Sequence, residues 1–337
     1  MGRFVAKRVL AMPLLLLGIV SIAFAISRLI PSDPLVSIVG ERALGNEQIV
    51  DAAKRRWGLD GSVGQQYVTY LKNLTKGDMG TSFRTKKSVV SDLRDRLPAT
   101  AELALAAMIL GGGGGVLLGV VAAARKDKPV DHVSRFFSLL GSSLPVFWTG
   151  LVLLFLLYAK LGWFPGPGRL PARTSAPPDH TGFYTIDSLL AGDFTLFRQS
   201  LVRLLLPGFV LGWTMMGVVS RLVRAAMLDE LYADYVRTAR AKGLKERQVL
   251  RSHVLRNALL PVLTILGYSF ATLLTSAVLT ETIFSWNGIG SYAVTAARNL
   301  DYPAINGVCI FGGAVFLLIN LVTDVLYAVA DPKIRLS

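Results

Sequence analysis

Cysteine is nearly missing from this 337-residue chain. Cys309 stands alone inside an apolar run, so no disulfide can form within the chain, and its simplest role is that of a small packing residue. Charge is also scarce. Asp, Glu, Lys and Arg make up 17% of residues against 52% hydrophobic, and the mean hydropathy is +0.50, which excludes an ordinary soluble domain. The sequence has no G-x-x-x-x-G-K-[ST] phosphate loop, no G-x-S-x-G elbow and no H-E-x-x-H metal helix. His132, His180 and His253 are scattered along the chain, and nothing resembles an enzyme active site. No repeat of fixed period and no low-complexity tail is present.

What the chain has instead is uncharged length. Six runs carry no charge: Val9 to Ser27, Leu103 to Ala124, Phe136 to Ala159, Leu204 to Ser220, Asn257 to Thr280 and Tyr302 to Thr323. A hydrocarbon core takes roughly 20 helical residues, so each is long enough or nearly so to cross it. None shows the alternation of a barrel strand. The expectation is an all-α membrane protein of six transmembrane helices, with Arg203 and Arg221 snorkelling at the ends of the shorter fourth run. The basic start, apolar stretch and "AFA" at Ala23 to Ala25 also fit a signal peptide, but the apolar stretch is long and reads as a retained signal-anchor helix.

Positive charge sets the orientation. The N-terminus, Arg125 to Arg135, Ser220 to Asn257 and Asp331 to Ser337 are dense in Lys and Arg, while the segments between them are longer and sparser. Both termini are therefore expected inside. The net charge of +14 is explained by this bias and does not call for nucleic acid.

The runs divide the chain into a first helix (1–30), an extracytoplasmic cap (31–98), a five-helix core (99–330) and a cytoplasmic tail (331–337). The core carries an external loop at 161–200 and a cytoplasmic loop at 221–257. In the cap, amphipathic stretches predict helices ending near Gly58 and near Gly77. "FPGPGRLP" and "APPD" predict an irregular external loop with a short helix. Gly111 to Gly115 predict a tight packing face or a flexible point in the second helix. No ionisable residue lies inside a run; Glu102, Arg203, Glu281 and Asp324 sit near run ends, so a proton relay is unsupported, although Asn320 or backbone carbonyls could hold a cation.

The segment "RTARAKGLKERQVLRSHVLRNALLP", Arg237 to Pro261, is strongly basic between two apolar runs. Burying such charges would cost about 2.5 to 3.5 kcal/mol per central residue, so it belongs in the cytoplasm or at its interface. Val249, Leu250, His253, Val254, Asn257 and Ala258 recur at helical spacing, with Glu246, Arg247 and Arg251 on the other face. Gly243 separates this helix from one through "DELYADYVRTARAK", as a left-handed helix end would. Physics alone leaves open a solvated basic loop, a site for anionic membrane lipid and a docking knob for a partner.

"DYVRTARAKGL" followed by "HVLRNALLPV" resembles the cytoplasmic signature loop, the EAA motif, of ABC importer permeases. "IPSDP", "GDMGTSF", "RLPATAELA", "SLPVFWTGLVL", "IFSWNGIGSYAVTAARNLDYPAINGV" and "DVLYAVADPKIRL" are similar to the first permease of the dipeptide, oligopeptide and nickel branch, nearly end to end. Arg237-Thr238-Ala239 stands in place of Glu-Ala-Ala, as is usual in that branch; Arg256 and Asn287 stand where proline is common, and Asn287 is expected to soften an external loop.

The resemblance implies an ABC importer permease fold with a coupling helix formed around Arg237, Thr238, Ala239, Lys242, Gly243, Leu244 and Arg247. It implies a second homologous permease subunit, two ABC ATPase subunits that use ATP and Mg, and an extracytoplasmic substrate-binding protein. This chain itself would bind no cofactor and no metal. Pro145, Phe147, Trp148 and Asn320 are the expected translocation-pathway residues. Di- or oligopeptides are the expected cargo. Nickel or another small solute is the alternative within the family, and a stand-alone channel or secondary transporter the alternative outside it.

Overall fold

The computed structural model of the chain describes residues 2–29, 34–39, 45–57 and 60–330. The tail 331–337, most of the "IPSDP" stretch and the expected helix end near Gly58 lie outside them. Among the described residues the regular structure is helical, apart from one isolated antiparallel bridge between Thr81 and Ser88.

Helix α1 (Gly2–Leu29) is followed by three cap helices, α2 (Pro34–Val39), α3 (Glu47–Trp57) and α4 (Val63–Leu74). A continuous helical rod follows: α5 (Val89–Met108), a π-helical turn (Ile109–Gly113) and α6 (Gly114–Ala124). Next come α7 (Pro129–Ser143), α8 (Val146–Leu153) with a π-helical end (Leu154–Lys160), the short α9 (Tyr184–Leu190) and α10 (Phe194–Leu231). The chain continues through α11 (Asp234–Ala241), α12 (Glu246–Gln248), a π turn (Val249–Val254), α13 (Leu255–Ile283), α14 (Ile289–Arg298) and α15 (Tyr302–Ala330).

Four of these are long and apolar enough to cross a membrane: Arg8–Ser27, Val89–Ala124, Phe194–Leu231 and Tyr302–Thr323. The α7–α8 pair makes a fifth if the bent pair is one crossing. The remaining expected run, Asn257 to Thr280, lies inside the 29-residue α13.

Helix α10, 38 residues long, is the centre of the bundle and packs against α5, α6, α7, α8 and α13. The glycines of the second run make the closest approach. A Cβ on Gly111 would sit 2.4 Å from the Gly212 carbonyl oxygen, so α10 lies against the rod at backbone distance. The same glycines host the π turn, so the packing face and the irregular point coincide. At the periphery α1 packs along α15, and Leu10, Leu14 and Ile22 are exposed, an apolar surface suited to hydrocarbon.

Two expected boundaries shift. The run Phe136 to Ala159 is not one helix: α7 and α8 meet at 111°, because Leu144, preceding Pro145, is driven to an extended conformation (ψ 132°) that ends α7. The rod begins at Val89, well ahead of the run Leu103 to Ala124, so position 98 lies within a helix that passes through Pro98.

Candidate functional site

The basic segment folds as its periodicity indicates. Helix α11 ends in a Schellman turn: the Gly243 amide donates to the Arg240 carbonyl (2.9 Å), the Leu244 amide donates to the Ala239 carbonyl (3.4 Å), and Gly243 is left-handed at φ +79°. Arg240 then clasps Glu246 across the turn with two hydrogen bonds, of 3.1 and 2.7 Å. That pairing holds the Glu246 carboxyl below its usual range and raises Arg240, both chiefly through the shared hydrogen bonds. The "DEL" that was read into this helix belongs instead to the end of α10, and α11 starts at Asp234 after a break at Tyr232 and Ala233.

One face of the unit is closed. Val236, Val249 and Val254 are fully buried, Ala239 nearly so, and all four join the core around Val223 and Met227 of α10. The other face is open and cationic: Arg237, Thr238, Lys242, Gly243 and Arg247 are exposed, with Leu244 half-buried between them. Tyr235 joins the unit to both long helices, donating its hydroxyl to Glu230 at the end of α10 and accepting from Asn257 of α13 (2.9 Å). Nearby, fully buried Asp131 of α7 accepts two hydrogen bonds of 2.7 Å from Arg224 of α10. Through Tyr235 the unit is hydrogen-bonded to α10 and α13 together.

Those two helices also wall a cavity of about 350 Å³, lined by Val146, Thr214, Met215, Ser269, Thr272 and Ser276 among others. The Thr214 hydroxyl is buried without a partner. The expected pathway residues are not assembled there. Pro145 forms the corner between α7 and α8, Phe147 and Trp148 are each 46% exposed on α8, and Asn320 lies on α15; no hydrogen bond or cavity among the described residues joins them. Cys309 is exposed on α15 rather than packed in the core.

At the opposite end of the bundle, buried carboxylates organise the loops. Glu102 accepts from Arg169 (2.7 Å) and from the amide and hydroxyl of Thr185 (2.9 and 2.7 Å), and the Arg169 guanidinium lies 3.5 Å over the Tyr184 ring. Glu281, fully buried, accepts from the Thr100 hydroxyl (2.6 Å) and the Ser291 amide (2.9 Å). Asp301 accepts from Ser82 (2.5 Å) and the Phe83 amide (3.0 Å). Asn287 does not loosen its loop: at φ +55° it takes a conformation closed to proline, and its carboxamide oxygen accepts from Arg96 (2.8 Å). Glu102 and Glu281 had marked only run ends in the sequence; the signal that they are structural is their position at those ends, where a lone buried charge must find partners.

Residues 115–336 match the family model "Binding-protein-dependent transport system inner membrane component", and residues 1–104 match the model "Binding-prot-dependent transport system membrane comp, N-term". The chain is 43% identical to the di/tripeptide transport system permease protein DppB of Pseudomonas aeruginosa, over 98% of each chain. It is 40% identical to the probable D,D-dipeptide transport system permease protein DdpB of Escherichia coli, over 97% of this chain and 96% of that one. It is 36% identical to the oligopeptide transport system permease protein AppB of Bacillus subtilis, over 99% and 100%. A solved inward-facing methionine ABC transporter, MetNI, gives a TM-score of 0.48 at 14% identity over 72% of this chain and 96% of that one, a likeness too slight to argue from.

Proposed function

The chain belongs to the binding-protein-dependent transport system inner membrane component family, a multi-pass membrane transport subunit and not an enzyme, and from that premise we propose that it carries short peptides. It does so as one of two permeases in an ATP-driven importer, with two ATPase subunits on the inner side and a binding protein on the outer side. The peptide cargo is supported by the names of relatives that align nearly end to end. Six crossings with both termini inside follow from the six uncharged runs and the density of Lys and Arg in the loops assigned to the inner side.

The observation that carries the reading is the 232–257 unit. It presents Arg237, Lys242 and Arg247 on an open face, is stiffened by the Gly243 turn and the Arg240–Glu246 clasp, and is rooted through Tyr235 in α10 and α13. A groove on an ATPase would seat this face. When ATP draws the two ATPases together, the rooted unit would tilt α10 and α13, the helices that wall the 350 Å³ cavity, and hydrolysis would reset them. ATP and Mg act on the ATPases, and this chain supplies the lever and part of the passage.

The test is reconstitution of the chain with its partner permease, ATPases and binding protein in proteoliposomes. ATP-dependent uptake of a labelled dipeptide is expected, abolished by omitting either ATPases or binding protein. Arg247→Glu, on the exposed face, should depress binding-protein-stimulated hydrolysis while leaving abundance normal. Uptake of nickel but not of peptide would replace the cargo, and uptake without ATPases would replace the mechanism with that of a channel or secondary transporter.

A further inference from the structure

Beneath the cap lies a cavity of about 500 Å³ that the transport mechanism does not use. Its walls come from α1 (Phe24, Ser27), α4 (Gln66, Tyr70) and the start of α15 (Tyr302, Asn306), with Arg55 and Asp60 at the margin of the cap. Its volume falls within the range of small-molecule sites. The cap is fixed over it by well-formed contacts: Ser62 and Gln65 close a capping box on α4, the Tyr67 hydroxyl meets Ser21 of α1 at 2.5 Å, and Phe24 stacks against Tyr70.

Three residues lining this cavity each carry a buried polar atom with no hydrogen-bond partner: Gln66 Oε1, the Tyr70 hydroxyl and Asn306 Oδ1. Asn306 is 5% exposed, near the start of α15. Gln66 donates its amide nitrogen to the Gly61 carbonyl (2.8 Å), and its oxygen is left without a partner. Buried polar atoms in folded proteins are nearly always paired, so three orphans around one space call for something in that space that satisfies them. Two are carbonyl oxygens that only accept, so the occupant must donate. The exposed margin adds one charge of each sign, Asp60 for a cation and Arg55 for a carboxylate, and Phe24, Phe83 and Tyr302 supply apolar walls.

We infer that this cavity is a binding site for a small zwitterion: an ammonium donating to Gln66 and Asn306, with its carboxylate toward Arg55. A free amino acid and a short peptide share that chemistry. The site lies apart from the α10–α13 cavity, since none of its lining residues is on either helix, so its occupancy is separate from passage.

The experiment uses the assembled permease with its ATPases in detergent, without binding protein and without ATP. Equilibrium binding is measured for labelled alanine, dialanine, N-acetyl-dialanine and dialanine amide. Saturable binding of alanine or dialanine is expected, the pair showing which length fits, and acetylation should weaken it at least tenfold. Asn306→Leu and Gln66→Leu should each abolish it. Arg55→Gln, at the exposed margin and without consequence for folding, should weaken dialanine while leaving dialanine amide unchanged. Absence of saturable binding to the wild type means that water alone satisfies the orphan atoms, and the inference falls. Binding that survives Asn306→Leu and is indifferent to Arg55→Gln also overturns it, because the ligand then sits elsewhere. Uptake in proteoliposomes is scored separately: uptake without cavity binding counts against this inference alone, and cavity binding without uptake counts against the transport reading alone.

Discussion

At Gly243 the structural demand is confined to the backbone. No heavy atom lies within 4 Å of where a Cβ would stand, so a side chain meets no obstacle there, but φ is +79°. A β-branched residue must bear left-handed strain of about 1 to 3 kcal/mol or release the turn, which redirects α11. Gly243→Val is therefore expected to insert and accumulate normally yet lose binding-protein-stimulated ATP hydrolysis, whereas Gly243→Asn, whose side chain tolerates this region, should retain most of it. Equal hydrolysis in both variants would remove the turn from the coupling mechanism. Glu102 is the opposite case, a residue whose importance lies entirely in its partners. It is 4% exposed and accepts from Arg169 and Thr185 at once, so Glu102→Ala removes the countercharge of a guanidinium that is 12% exposed, leaving it the Gly182 carbonyl and the Tyr184 ring, and should destabilise that end of the bundle by about 1 to 3 kcal/mol. Thermal unfolding in detergent reads this out. Asp234→Ala, which breaks an exposed pair with Arg237 at 3.5 Å, should leave the unfolding temperature unmoved.

Between elements, the seam of α10 against the Val89–Ala124 rod shows how unequal five consecutive glycines are. A methyl on Gly111 would meet the Gly212 carbonyl oxygen, while one on Gly113 would meet nothing within 4 Å. Gly111→Ala should thus force the helices apart at a cost of about 1 to 3 kcal/mol, and Gly113→Ala should be neutral or slightly stabilising through helix propensity. Comparing the melting of the two purified variants checks it, and similar losses in both would mean that the π turn, not the seam, is what the glycines protect. Periodicity made several elements readable in advance: the burial of Val249, Val254 and Ala258 and the glycine-ended helix follow from spacing within one short segment. The 111° bend was missed because hydropathy runs unbroken through Leu144-Pro145, although the conformational restriction before a proline was there to be used. The network at the other end could not be read, since Thr100 and Glu281 are 181 positions apart and Glu102 and Arg169 are 67 apart. The orphan atoms beneath the cap likewise exist only once α1, α4 and α15 have come together.

For the molecule as a whole, the proposed orientation rests on matching its two ends to charge. The end carrying the 232–257 unit also carries the 125–135 loop, tied to it by the 2.7 Å hydrogen bonds of Arg224 to Asp131 and by Lys126 donating to the Tyr232 hydroxyl at 3.3 Å. Two loops that are far apart in sequence and dense in Lys and Arg thus share one end, as retention of positive charge on the inner side requires. The cap, α9 and α14 gather at the other end, joined by carboxylate networks that fold that end into one layer. Ser91, in the first turn of α5, and Ser252, in the π turn before α13, are both exposed and mark the two ends. Cys309 is itself exposed and must be removed first, so single cysteines are placed at positions 91 and 252 in a Cys309→Ala background. With the cytoplasmic membrane intact, a membrane-impermeant thiol reagent should label position 91 and spare 252, and permeabilisation should expose 252. Labelling of 252 alone in intact cells would invert the protein, place the cationic face of the 232–257 unit outside, and leave it no ATPase to engage.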